Sequence, residues 1–166
     1  FELNQNERFF HMILRGINIG PVHSASGATN FFGPGRGPGH GWWYHRPFHC
    51  LGLDFGEATV TTKTTTLLER TGNMPLKKDG LTPKEWLPRC IIVKRKKKAV
   101  LNAVSLSGPG LAFLLRKEKW QRHEKPIIIS VMSLAKTPEE RKEEIAEIFR
   151  VVSSAYREAR AIGLFT

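Results

Sequence analysis

Cysteine is scarce in this chain of 166 residues, which carries only Cys50 and Cys90. Two cysteines outside any Cys-x-x-Cys pair are too few for the disulfide framework of a small secreted domain, and they favour a reducing compartment without structural zinc. Long hydrophobic runs are also absent. The longest, at 127–133, has the length of a strand, whereas a membrane helix needs about 20 residues. The N-terminal part lacks the apolar segment and cleavage site of a secretory signal, so we expect a cytoplasmic location.

Acidic residues are in short supply as well. Fifteen Asp and Glu stand against 26 Lys and Arg, which gives a formal net charge of +11. Such a surface attracts anions of several kinds, including nucleic acid, anionic lipid and nucleotide phosphates. The densest cationic segment is 94–98, and a run of this kind forms either a solvated edge or a binding patch. Hydrophobic residues nevertheless make up 40% of the chain, which is enough for a core and excludes a disordered protein.

Several chemical motifs are missing too. The chain contains no Gly-x-Gly-x-x-Gly dinucleotide fingerprint and no phosphate-binding P-loop. Among its histidines, only His45 and His49 stand at helical spacing, and the flanking residues of a zinc-binding HExxH motif are absent. Cys50 has no base arranged beside it in the sequence. We therefore predict neither a metal site nor a cysteine nucleophile.

What is present is an alternation of strand and helix patterns. Strands are predicted at 17–25, 58–63 and 126–132, and the last is a continuous apolar run typical of a buried parallel strand. Two further strand candidates, 90–94 and 99–104, flank the basic run. A buried strand followed by a helix and a new apolar start after Gly163 forms a βα unit. The sequence therefore predicts an α/β fold with a mainly parallel sheet, either doubly wound or part of a barrel.

Less regular segments separate these strands. A glycine-rich loop at 33–41 precedes an aromatic cluster that begins with Trp42, Trp43, Tyr44 and His45 and is predicted to form a short helix. Glycines and prolines interrupt 67–88, which predicts a long excursion after the second strand rather than a regular helix.

Two helices are predicted in the second half of the chain. Leucine spacing indicates a helix over 111–120. Thr137-Pro138-Glu139-Glu140 is a capping box with proline at the first helical position, which predicts the start of the second helix. Its apolar face is predicted to consist of Ile145, Ile148, Phe149, Val152, Tyr156 and Ala159.

Polar side chains follow three of the predicted strands. In parallel folds, functional groups gather at the C-terminal ends of strands. Ala25, Ser26 and Gly27 are small enough for a flat ligand to approach their backbone N–H groups, unless they form an ordinary turn. Lys63 ends the second strand, where its ammonium either holds an anion or is simply solvated. Asn102 presents paired donors and an acceptor that suit the edge of a pyrimidine, or else it caps the following helix.

In this order, the segments resemble the N-terminal half of the dihydroorotate dehydrogenase family, whose members are FMN-dependent (β/α)₈ barrels. The resemblance spans roughly residues 17–163, nearly the whole chain. It rests on the motifs GPVHSASG at 20–27, VTTKTTT at 60–66, ERTGNMP at 69–75, LNAV at 101–104 with Leu106 and Gly110, KPIIISV at 125–131 and TPEE at 137–140. It implies a partial TIM barrel of about the first three to four βα units, with an excursion after strand 2. It also implies FMN as the cofactor.

The resemblance also implies a role for each candidate residue. Residues 25–27 would lie against the flavin through their backbone, and Thr64 would contact the cofactor. Lys63 would stand beside the flavin and the substrate, where its charge stabilises the reduced ring and an anionic orotate. Asn102 would hydrogen-bond the pyrimidine. The implied reaction belongs to pyrimidine biosynthesis: a dihydropyrimidine such as dihydroorotate loses a C5 proton to a base and a hydride from C6 to FMN.

The chain departs from the family pattern in two respects. The family motif Asn-x-x-Gly-Leu-x-Asn has Ser105 in place of its glycine and Gly108 in place of its second asparagine, so one substrate amide is missing. A full barrel needs about 250 residues. We therefore expect 1–16 to be an N-terminal extension and 17–166 to be the N-terminal half of a truncated barrel. The catalytic base, a Ser or Cys on a later loop, would then lie outside this chain, and FMN would bind weakly.

Two other readings stay open at this point. The chain is a non-catalytic half-barrel that assembles with a second copy or a complementing chain, or it is a basic α/β module that binds nucleic acid. Nucleic acid is disfavoured as a partner, because the aromatic cluster at 42–44 is distant in sequence from the cations at 94–98.

Overall fold

The computed structural model describes residues 12–45, 47, 51 and 58–161. Residues 162–166, where the sequence predicts a further strand to begin, lie outside them, as do Phe48, His49, Cys50 and most of the expected extension at 1–16. Two short 3₁₀ helices lie at Trp43–His45 and Arg95–Lys97. The strands and α-helices are β1 (Ile13–Leu14), β2 (Ile17–Asn18), β3 (Val60–Thr61), β4 (Ile91–Lys94), β5 (Ala99–Asn102), α1 (Leu111–Leu115), β6 (Ile127–Ile128) and α2 (Pro138–Ala161).

The centre of the fold is a ribbon of three parallel segments. β3 pairs in parallel with β6. Beyond β6, the pairing continues in a parallel bridge between Thr65 and Val131. On the other side of the β3 segment, Thr59 forms a parallel bridge with His23. The segments around His23, β3 and β6 therefore lie side by side in their chain order. Their C-terminal ends meet at one edge of the ribbon. The polar residues of the sequence motifs lie directly after these ends.

The first predicted strand, at 17–25, is divided in two. Gly20 adopts a φ of +69° and Pro21 has no N–H to donate, so the extended chain breaks between them. The part before the break, β2, pairs with β1 in an antiparallel hairpin. Its turn at Arg15 and Gly16 has positive φ angles of 51° and 80°. The hairpin therefore spans the expected boundary between residues 16 and 17.

The two strand candidates around the basic run form one antiparallel hairpin. Four residue pairs join β4 to β5, from Ile91 opposite Asn102 to Lys94 opposite Ala99. The turn between the strands is the 3₁₀ helix Arg95–Lys97 followed by Lys98, whose φ of 46° is left-handed. The predicted excursion at 67–88 contains no strand or helix, but two isolated bridges involve it, one between Leu76 and Pro83 and one between Arg70 and Gly108.

The core lies between the two helices and the loop that carries Phe31 and Phe32. Helix α1 is shorter than predicted because Glu118 adopts a φ of 54° and the chain turns, so the helix ends at Leu115. The turn brings the indole of Trp120 into the core, where its Nε1–H donates to the Phe31 carbonyl at 2.7 Å. The buried cluster consists of Phe31, Phe32, Leu81, Leu111, Leu114, Leu115, Trp120 and Ile148.

Helix α2 begins as its capping box predicts. The N–H of Glu140 donates to Thr137 Oγ1 at 3.2 Å, and the Glu140 carboxylate accepts from the N–H of Thr137 at 3.1 Å. The reciprocal bond lowers the pKa of Glu140, chiefly because the Thr137 N–H stabilises the carboxylate. Along the predicted apolar face, Ile148 and Ala159 are buried, whereas Phe149 is exposed. Val151 and Ala155 pack on the core as well, so the buried face is rotated away from Phe149.

The described residues form three two-stranded sheets and two α-helices, without a closed barrel. The partial TIM barrel and the two-part division of the chain therefore stay predictions. None of the helices in the described part is long and apolar enough to cross a membrane.

Thr137→Ala should destabilise the protein by about 1 kcal/mol, because it removes the oxygen that accepts the Glu140 N–H at the start of α2. The free energy of unfolding in urea is the measurement. Thr137→Ser keeps the hydroxyl and is the matched control, which should stay within about 0.5 kcal/mol of the wild type. Equal losses in the two variants would show that the cap contributes nothing.

Candidate functional site

A chain of three hydroxyl groups crosses the C-terminal edge of the parallel ribbon. Ser26 Oγ donates to the Thr62 carbonyl at 3.0 Å and lies 2.8 Å from Thr64 Oγ1. Thr64 Oγ1 in turn lies 2.9 Å from Ser130 Oγ. Ser26 Oγ also lies 3.3 Å from Ser130 Oγ, so each of the three hydroxyls contacts the other two. Residues from all three segments are thereby tied together beside Lys63.

The backbone at 25–27 presents unused donors next to this chain of hydroxyls. The N–H groups of Ala25, Ser26 and Gly27 donate to no group within the described part of the protein. Gly27 has a φ of 78°, a conformation that favours glycine, and its carbonyl accepts from Trp42 Nε1 at 2.9 Å. Trp42 therefore fixes the loop so that its donors stay at the C-terminal end of the parallel segment around His23.

Lys63 is buried, with only 8% of its surface exposed. Its ammonium donates to the carbonyl of Ser107 and lies 4.8 Å from the centre of the Phe31 ring. Within 12–45 and 58–161, no carboxylate forms an ion pair with it. Burial without a counter-ion lowers the pKa of Lys63 to about 8. The site thus holds a cation that an anionic ligand would stabilise.

The carbonyl that receives Lys63 is held by its own side chain. Ser107 is completely buried, and its hydroxyl accepts from the N–H of Met74 and donates to the carbonyl of Val104, both at 3.0 Å. Gly72 packs against this turn so closely that a Cβ would lie 2.8 Å from Ser107 N. The segment 72–74 therefore holds the Ser107 turn, and with it the carbonyl that accepts from Lys63, in place.

Asn102 ends β5 with an exposed side chain. Its Oδ1 accepts from the N–H of Val104 at 3.2 Å, while its amide nitrogen donates to no group in the described residues. The alternative reading as a helix cap is wrong, because Gly110 is the N-cap of α1 and no side chain caps that helix. Within the described part of the chain, the amide donors of Asn102 are therefore unpaired.

These residues border a single cavity of about 940 Å³. Among the predicted site residues, Ser26, Gly27, Lys63, Thr64 and Asn102 line it, whereas Ala25 does not. The opposite wall is the inner face of the β4–β5 hairpin together with the segment at 82–88. Trp42 and Tyr44, whose rings stack with centroids 6.4 Å apart, form a third side. The volume is in the range of cofactor and substrate pockets.

The described residues include no group of three His, Cys, Asp or Glu side chains that could hold a metal ion. His45 Nδ1 accepts instead from the N–H of Trp42 at 3.4 Å. Its predicted partner in spacing, His49, lies outside the described residues, as does Cys50.

Sequence reasoning missed two contributors to the site. Ser130 joins the hydroxyl chain, and its signal was a polar residue interrupting the apolar run of the third parallel segment. Ser107 receives the Lys63 ammonium through its backbone carbonyl. No side-chain pattern could have revealed that contact.

Comparisons with protein-family models, curated proteins and solved structures found no match for this chain. The resemblance to dihydroorotate dehydrogenases therefore stays a prediction from the order and spacing of the motifs.

The lowered pKa of Lys63 predicts a specific dependence of stability on pH. Between pH 8 and 10.5 the unfolded chain binds this proton and the folded chain does not, so stability rises with pH across that window. Relative to Lys63→Met, the wild type should gain about 3 kcal/mol there. Urea unfolding at several pH values measures the difference.

Lys117→Met is the matched control for this measurement. The Lys117 ammonium also lies over a phenylalanine ring, that of Phe113, but the side chain is exposed. It tests whether the loss of any lysine that lies over a phenylalanine ring produces the same change. A Lys63→Met curve parallel to that of the wild type would show that the folded state does not perturb Lys63.

Proposed function

We propose that the cavity binds a flavin ring and an anionic dihydropyrimidine, as in an FMN-dependent oxidoreductase of the dihydroorotate dehydrogenase type. One observation carries the proposal. Five of the six residues that the motif comparison selects, drawn from three separate segments of the sequence, line the same cavity. An ordinary turn at 25–27, a solvated lysine and a helix-capping asparagine have no reason to converge in this way.

The chemistry of the donors fits a flavin. The edge of an isoalloxazine ring carries carbonyl oxygens and ring nitrogens that accept hydrogen bonds. Ser26, Gly27 and Lys63 line the same cavity, and the N–H groups of Ser26 and Gly27 donate to no group within the described residues. Neither Ser26 nor Gly27 carries a bulky side chain, so a flat ring can approach the backbone closely. When bound, FMN would supply the hydride-accepting chemistry, and the protein supplies position and charge.

Lys63 is the residue that this proposal assigns to electrostatic catalysis. Its charge is buried, and no carboxylate of the described residues forms an ion pair with it, so added negative charge nearby is stabilised more strongly than it would be in water. An orotate-like carboxylate and an electron-rich ring would both gain from it. Ser107 is the positioning residue, because its carbonyl fixes the ammonium.

Asn102 and the hairpin complete the substrate side of the cavity. The free amide donors of Asn102 would bind a pyrimidine carbonyl. Ile91 and Val93, on the same hairpin, present apolar side chains to the cavity and would exclude water from the bound rings. The proton acceptor of the reaction is assigned to no residue of this chain.

The ring-binding part of the proposal predicts saturable binding of lumiflavin, the flavin without its phosphate side chain. At about −0.3 kcal/mol per heavy atom for roughly 19 atoms, the dissociation constant should be on the order of 0.1 mM. Quenching of flavin fluorescence is the measurement. FMN should bind within about threefold of lumiflavin, since the contacts identified are to the ring.

A matched pair of variants locates the binding. Ser26→Leu places a bulky side chain at the ring position and should weaken lumiflavin binding at least tenfold, whereas Ser153→Leu, on the exposed side of α2, should leave it unchanged. Absence of saturable binding, or equal binding by both variants, contradicts the flavin proposal.

The charge of Lys63 predicts a pH-dependent affinity for orotate. Above pH 8, the affinity should fall about tenfold per pH unit as the ammonium loses its proton. Isothermal titration calorimetry with orotate at pH 7 and pH 9.5 measures this change. Lys63→Met should bind weakly at both values, and Lys119→Met, on the surface, should behave like the wild type. A pH-independent affinity in the wild type would exclude Lys63 as the anion-binding group.

A further inference from the structure

The β4–β5 hairpin projects from the fold with both of its faces uncovered by other strands. Every residue from 91 to 103 is exposed. Strand alternation and the observed register divide the hairpin into two faces. Ile91, Val93 and Asn102 point to the cavity. Ile92 and Leu101 therefore form a cross-strand pair on the outer face.

The outer face is apolar although it is open to solvent. Ile92 is 45% exposed and Leu101 is 59% exposed. On the face that turns to the cavity, the cross-strand pair Val93 and Val100 is also 61% and 64% exposed. Four large aliphatic side chains on one short hairpin are unusual for a surface without a partner and indicate a docking site.

The tip of the same hairpin carries a dense positive charge. Lys94, Arg95, Lys96, Lys97 and Lys98 follow one another, and none of them forms an ion pair within the described part of the chain. Five adjacent cations without counter-charges require an anionic partner or bulk solvent. The aliphatic pair Ile92 and Leu101 on the outer face favours a partner with an apolar layer.

We propose that the β4–β5 hairpin lies on the surface of a membrane that contains anionic phospholipids. The cations at 94–98 contact the lipid phosphates, and Ile92 and Leu101 enter the boundary between headgroups and acyl chains. A bilayer surface satisfies both requirements at once, because its headgroup layer is negative and the layer beneath is apolar. A nucleic acid would neutralise the tip but would leave the aliphatic pair exposed. This proposal does not depend on what occupies the cavity.

Sedimentation of the full chain with lipid vesicles tests the proposal. The chain should bind vesicles of phosphatidylcholine with about 30% phosphatidylglycerol and should not bind pure phosphatidylcholine. Replacing Arg95, Lys96 and Lys97 by glutamine should weaken binding on the order of 100-fold, at about fivefold per cation near an anionic surface. The matched triple variant Lys119→Gln, Lys142→Gln and Arg157→Gln has the same net charge and should bind much more tightly than the tip variant.

The apolar contribution has its own pair of variants. Ile92→Ser with Leu101→Ser should weaken vesicle binding about tenfold or more while all cations are kept. Leu68→Ser with Phe149→Ser removes two hydrophobic side chains elsewhere that are even more exposed, and it should have no such effect. Because all four positions are exposed, folding should be preserved, which circular dichroism checks.

Three outcomes would overturn the proposal. Vesicle binding that does not respond to Ile92→Ser with Leu101→Ser would mean attraction of charge alone. Binding of duplex DNA that requires the tip cations, without any vesicle binding, would identify a nucleic-acid surface. A dimer in sedimentation equilibrium that dissociates on the same double substitution, again without vesicle binding, would show that a second copy of the chain covers the hairpin.

Discussion

The site depends on one contact, the hydrogen bond from the buried Lys63 ammonium to the carbonyl of Ser107. It joins the end of the second parallel segment to a turn 44 residues farther along the chain. A buried cation without a carboxylate is costly, and the lowered pKa of Lys63 reflects that cost. The fold keeps the charge in place by fixing its acceptor through Ser107, Gly72 and Met74. Such an arrangement is characteristic of functional sites, where unsatisfied electrostatics is retained for a ligand.

Hydroxyl side chains give the parallel ribbon a polar interior near this contact. Thr62 and Thr65 are buried, and Thr62 Oγ1 accepts from the N–H of Ser130 at 3.0 Å. Side-chain bonds of this kind replace ladder bonds where the strands are short, so the three segments stay in register at their C-terminal ends. The residues that line the cavity are thus supported by hydrogen bonds between segments as well as by packing against the core.

Local patterns in the sequence predicted the elements whose causes are local. The capping box at Thr137 forms as written, and the hairpin around the basic run has the predicted strands. The residues that line the cavity were chosen from motif order, and their convergence could not be derived from periodicity. The predictions that were wrong concerned features with non-local causes. The chain after helix α1 turns at Glu118 and places Trp120 against the Phe31 carbonyl, and the exposure of Phe149 reflects which neighbours α2 packs against. The acceptor of Lys63 is a backbone carbonyl, and side-chain patterns in the sequence carry no information about which carbonyl that is.

The hairpin connects the two proposed surfaces thermodynamically. A two-stranded hairpin with neither face packed is marginally stable in water, and β4–β5 has solvent-exposed side chains on both faces. A ligand in the cavity would pack on Ile91 and Val93, and a partner on the outside would pack on Ile92 and Leu101. Each would stabilise the same pair of strands. The conformational entropy lost when either one binds would therefore be smaller if the other is already bound. By linkage, occupancy of the cavity should favour docking of the outer face, and docking should favour occupancy to the same extent. The coupling requires no movement of the core, because the ordering of one hairpin suffices.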